Sequence, residues 1–243
     1  MLNRGYLPSI YLDDNFIDLQ EAYVQDYLKE EIADEALVRN LQVFSEFLKV
    51  ASFSDAELVN FSNIARDCGI ASNTVKEYFL ILEDTLIGQF LPAYKKKPKR
   101  RISQAPKFYF FDIGIVNYLA KRKTIEPGSE LYGKAFENWV FHELRTYNSY
   151  KKARLDLSYW RLSTGIEVDF IINDMDYAIE VKASNKIHDG HLKGLRELVK
   201  DQPQVQKRYL VSLVDQNRVT EDGIEILNYQ SFVDYLWQGK LFN

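Results

Sequence analysis

The residues of this chain best suited to chemistry are Glu137, Asp169, Glu180 and Lys182. They sit in three short stretches: G-K-A-F-E-N-W-V (Gly133 to Val140), E-V-D-F-I-I (Glu167 to Ile172) and A-I-E-V-K (Ala178 to Lys182). In each, a charge occupies a position where the surrounding pattern calls for an apolar side chain. Phe136, Trp139, Val140, Phe141, Leu144 and Tyr147 recur at helical spacing, and at about 100° per residue Glu137 falls inside that apolar arc. A carboxylate there needs a partner, because burying an unpaired charge is expensive. The other two stretches read as a β-hairpin joined by Asn173-Asp174-Met175-Asp176. Closing it there pairs Ile172 with Tyr177, Phe170 with Ile179 and Asp169 with Glu180. Asp169, Glu180 and Lys182 then share one face. Residues opposed across a ladder lie about 4.5–5.5 Å apart at Cβ, where like charges repel. A cation between the carboxylates is expected, and oxygen ligands favour magnesium or manganese over zinc.

The elements that must position these groups belong to a chain of 243 residues, 46% hydrophobic and 27% charged, the balance of a soluble globular protein. The most apolar run, Phe108 to Ala120, is interrupted by Asp112 and Asn117, so no membrane span is expected. A single cysteine, Cys68, excludes an internal disulfide and a cysteine zinc site, and fits a reducing, cytoplasmic setting. Of the three histidines, His188 and His191 are close in sequence; the spacing is a weak metal signal, and a structural or solvated role is preferred.

Net charge is −4, but it is unevenly spread. Residues 1–60 carry 4 basic and 12 acidic side chains, whereas residues 95–123 carry 10 basic and 1 acidic. The basic block opens with Lys95, Lys96, Lys97, Lys99, Arg100 and Arg101 and continues through Lys107 to Lys121-Arg122-Lys123. Such a cluster on an acidic protein points to a polyanion, DNA or RNA, or to an acidic protein partner; a plain solvated loop is the alternative.

Gly5-Tyr6-Leu7-Pro8 reads as a turn, followed by helices over 18–32 and 37–51, the second with Leu37, Leu41, Phe44, Leu48 and Ala51 inward. A short helix is expected at Asp55–Asn60. A second, Asn63–Cys68, is capped by Ser62 and ended by Gly69; a third, capped by Ser72, buries Val75, Tyr78, Phe79 and Leu82. Strands at Ile87–Tyr94 and Lys107–Phe111 flank the basic loop. Helix, helix, turn, helix and a two-stranded wing is a winged helix-turn-helix arrangement. Its third helix turns Lys76 outward, but Glu77 offsets it, so a packing module is preferred over a DNA reader there. If DNA binds, the basic loop supplies phosphate contacts with little sequence information.

Ile113–Ala120 reads as a helix, and a domain boundary falls in the polar Lys121–Ser129 connection. The expected organisation is a helical lead-in at 1–53, a winged helix with its basic loop at 54–124, and an α/β domain at 130–243. The last follows the order αβββαβ. It consists of the Glu137 helix, a strand at Leu155–Leu162, the hairpin, a helix at Asp189–Lys200 and a central strand at Val205–Val214. An edge strand at Gly223–Leu227 and a closing helix at Ser231–Leu236 complete it. A mixed sheet flanked by helices is the fold class this predicts.

Phe136-Glu137, Val168-Asp169 and Glu180-Val181-Lys182 resemble the three motifs of the PD-(D/E)XK nuclease superfamily, the restriction-endonuclease-like fold. The stretch Ala105 to Gly114 (A-P-K-F-Y-F-F-D-I-G), together with Gly133 to Glu137, is similar to a prokaryotic family of AAA+ ATPases. There an ATPase module is followed by a winged helix and a C-terminal domain of unknown function with a nuclease-like core. The G-x-x-x-x-G-K-[ST] loop of that ATPase module is missing from this sequence, so no ATP site is expected here. Gly5-Tyr6-Leu7-Pro8 resembles the end of the ATPase module, and the chain looks like the C-terminal part of such a protein. The resemblance implies Mg2+- or Mn2+-dependent phosphodiester hydrolysis. Asp169 and Glu180 would hold the metal, with the Val181 carbonyl as a further oxygen. Lys182 would orient the attacking water, and Glu137 would bind a second ion or fix a metal-bound water, with Trp160 and Arg161 framing the site. The competing expectation is a non-catalytic module that binds nucleic acid, a protein partner or an upstream ATPase module.

Overall fold

The computed structural model describes residues 1–33, 37–95 and 105–242. Lys96, Lys97, Lys99, Arg100 and Arg101 lie outside the described residues; Lys95 is described and is exposed. The fold is mixed α/β, with a helical N-terminal region and a C-terminal mixed sheet. Two compact units divide it: Met1–Phe90 with Lys107–Asn138, and Leu91–Pro106 with Trp139–Asn243. These lines differ from 1–53, 54–124 and 130–243.

Unit 1 begins with α1 (Pro8–Tyr11) and α2 (Phe16–Asp26), which runs into a π-helical stretch, Tyr27–Ala33. Then come α3 (Leu41–Ser52), β1 (Glu57–Leu58), α4 (Phe61–Cys68), α5 (Ser72–Asp84), β2 (Gly88–Leu91), β3 (Lys107–Phe110) and α6 (Ile113–Leu119). The three strands form a small sheet in the order β1-β3-β2. Helix α3 is capped by the Asn40 side chain, which accepts from Val43 N–H at 3.1 Å. It buries Phe44, Phe47, Leu48 and Ala51, while Leu37 and Leu41, expected inward, are 42% and 37% exposed. Helix α4 takes its cap from Asn60 rather than Ser62, and ends at Gly69 in a left-handed conformation (φ 66°). Helix α5 buries Val75, Tyr78, Phe79 and Leu82 as its spacing predicts, but Ser72 is its first residue and not its cap.

The helix expected at Asp55–Asn60 does not form. Ala56 adopts φ 59°, which a helix cannot continue, and β1 instead pairs antiparallel with β3. The expected strand at Ile87–Tyr94 is cut at Pro92. Gly88–Leu91 belongs to the small sheet, whereas Tyr94 N–H bonds to Tyr159 O at 2.7 Å within unit 2.

Helix α7 (Glu130–Lys151) carries the chain from one unit into the other. Unit 2 continues with β4 (Leu157–Arg161), β5 (Glu167–Ile172), β6 (Tyr177–Lys182), α8 (Asp189–Asp201), β7 (Lys207–Ser212), β8 (Arg218–Val219), β9 (Ile224–Asn228) and α9 (Tyr229–Trp237). The sheet order is β4-β5-β6-β7-β9-β8, with β6-β7-β9 parallel and the other pairings antiparallel. The expected αβββαβ succession is present. The strand expected at the edge is β9, which pairs on both sides; the two-residue β8 is the edge. One face packs against α8 through Ile171, Ala178 and Leu210 meeting Leu192, Leu195 and Leu198. On the other face Phe141 of α7 stacks on Phe170, ring centroids 6.1 Å apart. No helix among the described residues is long and apolar enough to cross a membrane.

Candidate functional site

The hairpin closes in the register that its loop predicts: Ile172↔Tyr177, Ile171↔Ala178 and Phe170↔Ile179. Alternation then puts Asp169 and Ile171 on the face covered by α8, with Ala178, Glu180 and Lys182 beside them. Glu180 and Lys182 lie at the carboxyl end of β6, the first of the parallel strands, and in α/β sheets ligands gather at such ends.

Asp169 is 2% exposed, and its Oδ2 accepts from Val181 N–H at 2.8 Å. The carboxylate thus takes the backbone donor one residue beyond Glu180, fixing its position against β6. Glu180 is 4% exposed. Its Oε1 lies 2.5 Å from Lys182 Nζ, while its Oε2 is buried with no hydrogen-bond partner. Burial first, then the charge of Asp169, drives the Glu180 carboxyl well above the usual carboxylate range, against the pull of Lys182. Helix α8 meets this carboxylate at Gly194: a Cβ there would strike the Glu167 carbonyl and come within 3.3 Å of Glu180 Oε2. A glycine is what allows the helix to close on the site.

Lys182 is partly exposed, so the ion pair reaches solvent on one side. Arg161 pairs across β4 and β5 with Glu167, and Trp160 is a core residue packed with Val168 and Leu195 rather than a wall of the site.

Glu137 lies in the part of α7 that belongs to unit 1, and there it finds the partner that its place on the apolar arc demands. Lys107 Nζ is 2.9 Å and the Tyr109 hydroxyl 2.5 Å from Glu137 Oε1. Lys107 is 2% exposed in a strand whose four residues are all buried. Next to it, Asn138 donates to both Asp55 oxygens (2.9 and 3.1 Å) and to Phe110 O at 3.0 Å, and Tyr6 O–H donates to Asn138 Oδ1 at 3.0 Å. Burial pushes the Asp55 carboxyl up to about 7, opposed by the Phe110 N–H and by Asn138. Lys76 is exposed on α5, with its ammonium 5.6 Å from the centre of the Phe61 ring. Lys134, of the G-K-A stretch, is tied to Glu57 and Glu130 at 2.7 and 2.8 Å.

Sequence reasoning missed the seating of the first residues of unit 1. Asp112 caps α6 and also accepts from Leu7 N–H at 3.0 Å and from Tyr6 N–H. Asn117 donates to Leu2 O at 3.0 Å, and Gln20 to Arg4 O at 3.1 Å. The available signal was the pair of polar breaks, Asp112 and Asn117, in an otherwise apolar run. The pairing of His188 with His191, ring centroids 3.6 Å apart, was also missed.

A magnesium- or manganese-type ion can be tested against these groups. Among the described residues, no set of three or more His, Cys, Asp and Glu side chains is arranged to hold a metal. The protein offers two adjacent carboxylates, one with a buried, uncommitted oxygen. That fits a hard cation of the magnesium kind, commonly bound through one or two carboxylates plus water and substrate phosphate.

A helical N-terminal region joined to a mixed sheet with paired carboxylates defines the class of protein. Residues 1–126 match a family described as a domain of unknown function, DUF8612, and the chain belongs to that family. Residues 132–232 match a second domain of unknown function, DUF4143. The two matches meet beside the Lys121–Ser129 connection. Two curated relatives are the uncharacterized proteins Mb2031c of Mycobacterium bovis and Rv2008c of Mycobacterium tuberculosis. Each is 22% identical over 190 residues, covering 75% of this chain and 42% of the relative. The chain therefore spans less than half the length of these relatives. No solved structure matches.

Proposed function

We propose that unit 2 carries a nuclease-like site of the PD-(D/E)XK kind, which hydrolyses nucleic-acid phosphodiesters with Mg2+ or Mn2+. The observation that carries this reading is the uncommitted Glu180 Oε2, buried beside Asp169 and Lys182 at the end of a mixed-sheet strand. Asp169 and Glu180 would hold the ion, which when bound supplies Lewis-acid polarisation of a phosphoryl oxygen and an acidified water. Lys182 faces the negative charge that grows on phosphate oxygens in the transition state. Glu137 is assigned no ligand role, because Lys107 and Tyr109 account for its burial. The succession of α4, α5, β2 and β3 supports a winged-helix reading of unit 1, and Lys95 with the rest of the basic run supports contact with DNA or RNA phosphates. On this reading the chain is the winged-helix and nuclease-like part of an AAA+ ATPase-family protein.

The Glu180–Lys182 ion pair favours a second reading, a non-catalytic module of an ATPase in which the charges simply compensate each other. Incubation with single- and double-stranded DNA and RNA in Mn2+ or Mg2+ separates the two. Metal-dependent cleavage that disappears in a folded Asp169→Ala variant is expected. Cleavage that persists in that variant, or no cleavage by the wild-type chain with any metal, refutes the hydrolytic reading.

A further inference from the structure

The hydrolytic reading leaves His188 and His191 without a role. Their His-x-x-His spacing becomes direct contact in the fold, with ring centroids 3.6 Å apart and planes tilted by 34°. His188 is the N-cap of α8, yet its side chain makes no capping hydrogen bond. Its ring folds back over the first turn because residue 190 is glycine; a Cβ there would come within 3.0 Å of His188 Cε1. His191 lies one turn before Gly194, the residue that meets Glu180 Oε2, and residues three apart share a helix face. His191 is thus on the side of α8 that packs over β6, towards its Lys182 end.

Electrostatics place it in the same neighbourhood. Burial, His188 and the Lys182 ammonium, in that order, hold the His191 imidazole below the ordinary histidine range. The charged groups around it are Lys182 and Glu180 on β6, Asp169 on β5, and Asp189 on α8, itself held by Arg196 at 2.9 Å. His191 Nδ1 is buried and makes no hydrogen bond, as is true of Glu180 Oε2. Buried polar atoms are almost always paired, and those that are not tend to be committed to a ligand or a reaction. A nearby ammonium disfavours a cation on the imidazole pair, so proton transfer fits better than metal binding there.

We infer that His191 is a further member of the Asp169–Glu180–Lys182 site, a neutral imidazole that accepts the proton of the attacking water. The inference rests on the hydrolytic reading. In the step, a water O–H bond breaks as its oxygen bonds to phosphorus, and the proton passes to the imidazole. The bond from phosphorus to the leaving oxygen breaks, and that oxygen takes a proton from solvent. Lys182, an ammonium paired with Glu180, has no free electron pair for this task, and stacking on His188 buttresses the His191 ring.

His191→Gln keeps a polar side chain but cannot titrate. In a cleavage assay its kcat is expected to fall about 100-fold, the low end of what a positioned acid–base group contributes. KM and calorimetric Mn2+ affinity stay unchanged, and the acidic limb of the wild-type pH–rate profile disappears. An unchanged kcat and pH profile in the folded variant overturns the inference while leaving the hydrolytic reading standing. A wild-type chain that binds Mn2+ but never cleaves overturns the hydrolytic reading and this inference with it. A readout independent of cleavage is the NMR titration of His191. Its pKa is expected below the ordinary range and should rise in Lys182→Met; an ordinary value unmoved by that substitution overturns the inference.

Discussion

In unit 1 the buried carboxylate of Asp55 accepts from Phe110 N–H and from Asn138, and that of Glu137 accepts from Lys107 and Tyr109. In unit 2 Glu180 is as deeply buried, yet one of its oxygens is left with no partner. Both Asp55 and Glu180 have raised pKa values, and in both burial is the largest cause. A raised pKa therefore does not mark a working site here; it follows from desolvation alone. What separates the two regions is the open valence on Glu180, with an ammonium and a second carboxylate beside it. Unit 1 uses buried charge to lock a β-strand to a helix, and unit 2 leaves part of its buried charge available to a ligand.

The comparison breaks most directly at Lys107. Lys107→Met leaves Glu137 buried without its ammonium, and removing one member of a buried pair costs about 3–5 kcal/mol. Urea unfolding is expected to show a loss of that size, with Mn2+ binding by the folded variant unchanged; a loss under about 1 kcal/mol would mean that the pair is not structural. A smaller, pH-dependent effect sits at Asp55. Its folded pKa of about 7 lies above its ordinary 3.8, so folding favours the protonated form. The associated stability is fully present below about pH 4 and is lost as pH rises through 7, a span worth roughly 4 kcal/mol before relaxation of the site. Asp55→Asn should flatten thermal stability between pH 4 and 7. A wild-type slope retained in that variant would assign the pH dependence elsewhere.

Elements governed by local rules were legible in the sequence. The buried face of α5 follows from helical spacing, and the β5–β6 register from loop length and period-two alternation. Asp169, Glu180 and Lys182 stood out because charges interrupt a hydrophobic ladder. Features that depend on partners far along the chain were not legible. Lys107 reads as part of a basic block until β3 buries it against Glu137, thirty positions on. Asp112 reads as a break in an apolar run, yet it holds backbone groups more than a hundred residues earlier. Asp55 looks like the start of a helix, because nothing local announces that its carboxylate will be taken by Phe110 N–H. Gly190 and Gly194 look like weak points in α8, when each makes room for a neighbour, His188 in one case and Glu180 in the other.

The distinction between a closed and an open buried carboxylate is tested most directly by Mn2+ calorimetry on three chains: wild type, Glu180→Gln and Glu137→Gln. The account predicts binding by the wild type, at least a tenfold loss in Glu180→Gln, and wild-type affinity in a folded Glu137→Gln. Equal affinity in wild type and Glu180→Gln, or loss of binding confined to Glu137→Gln, would contradict it.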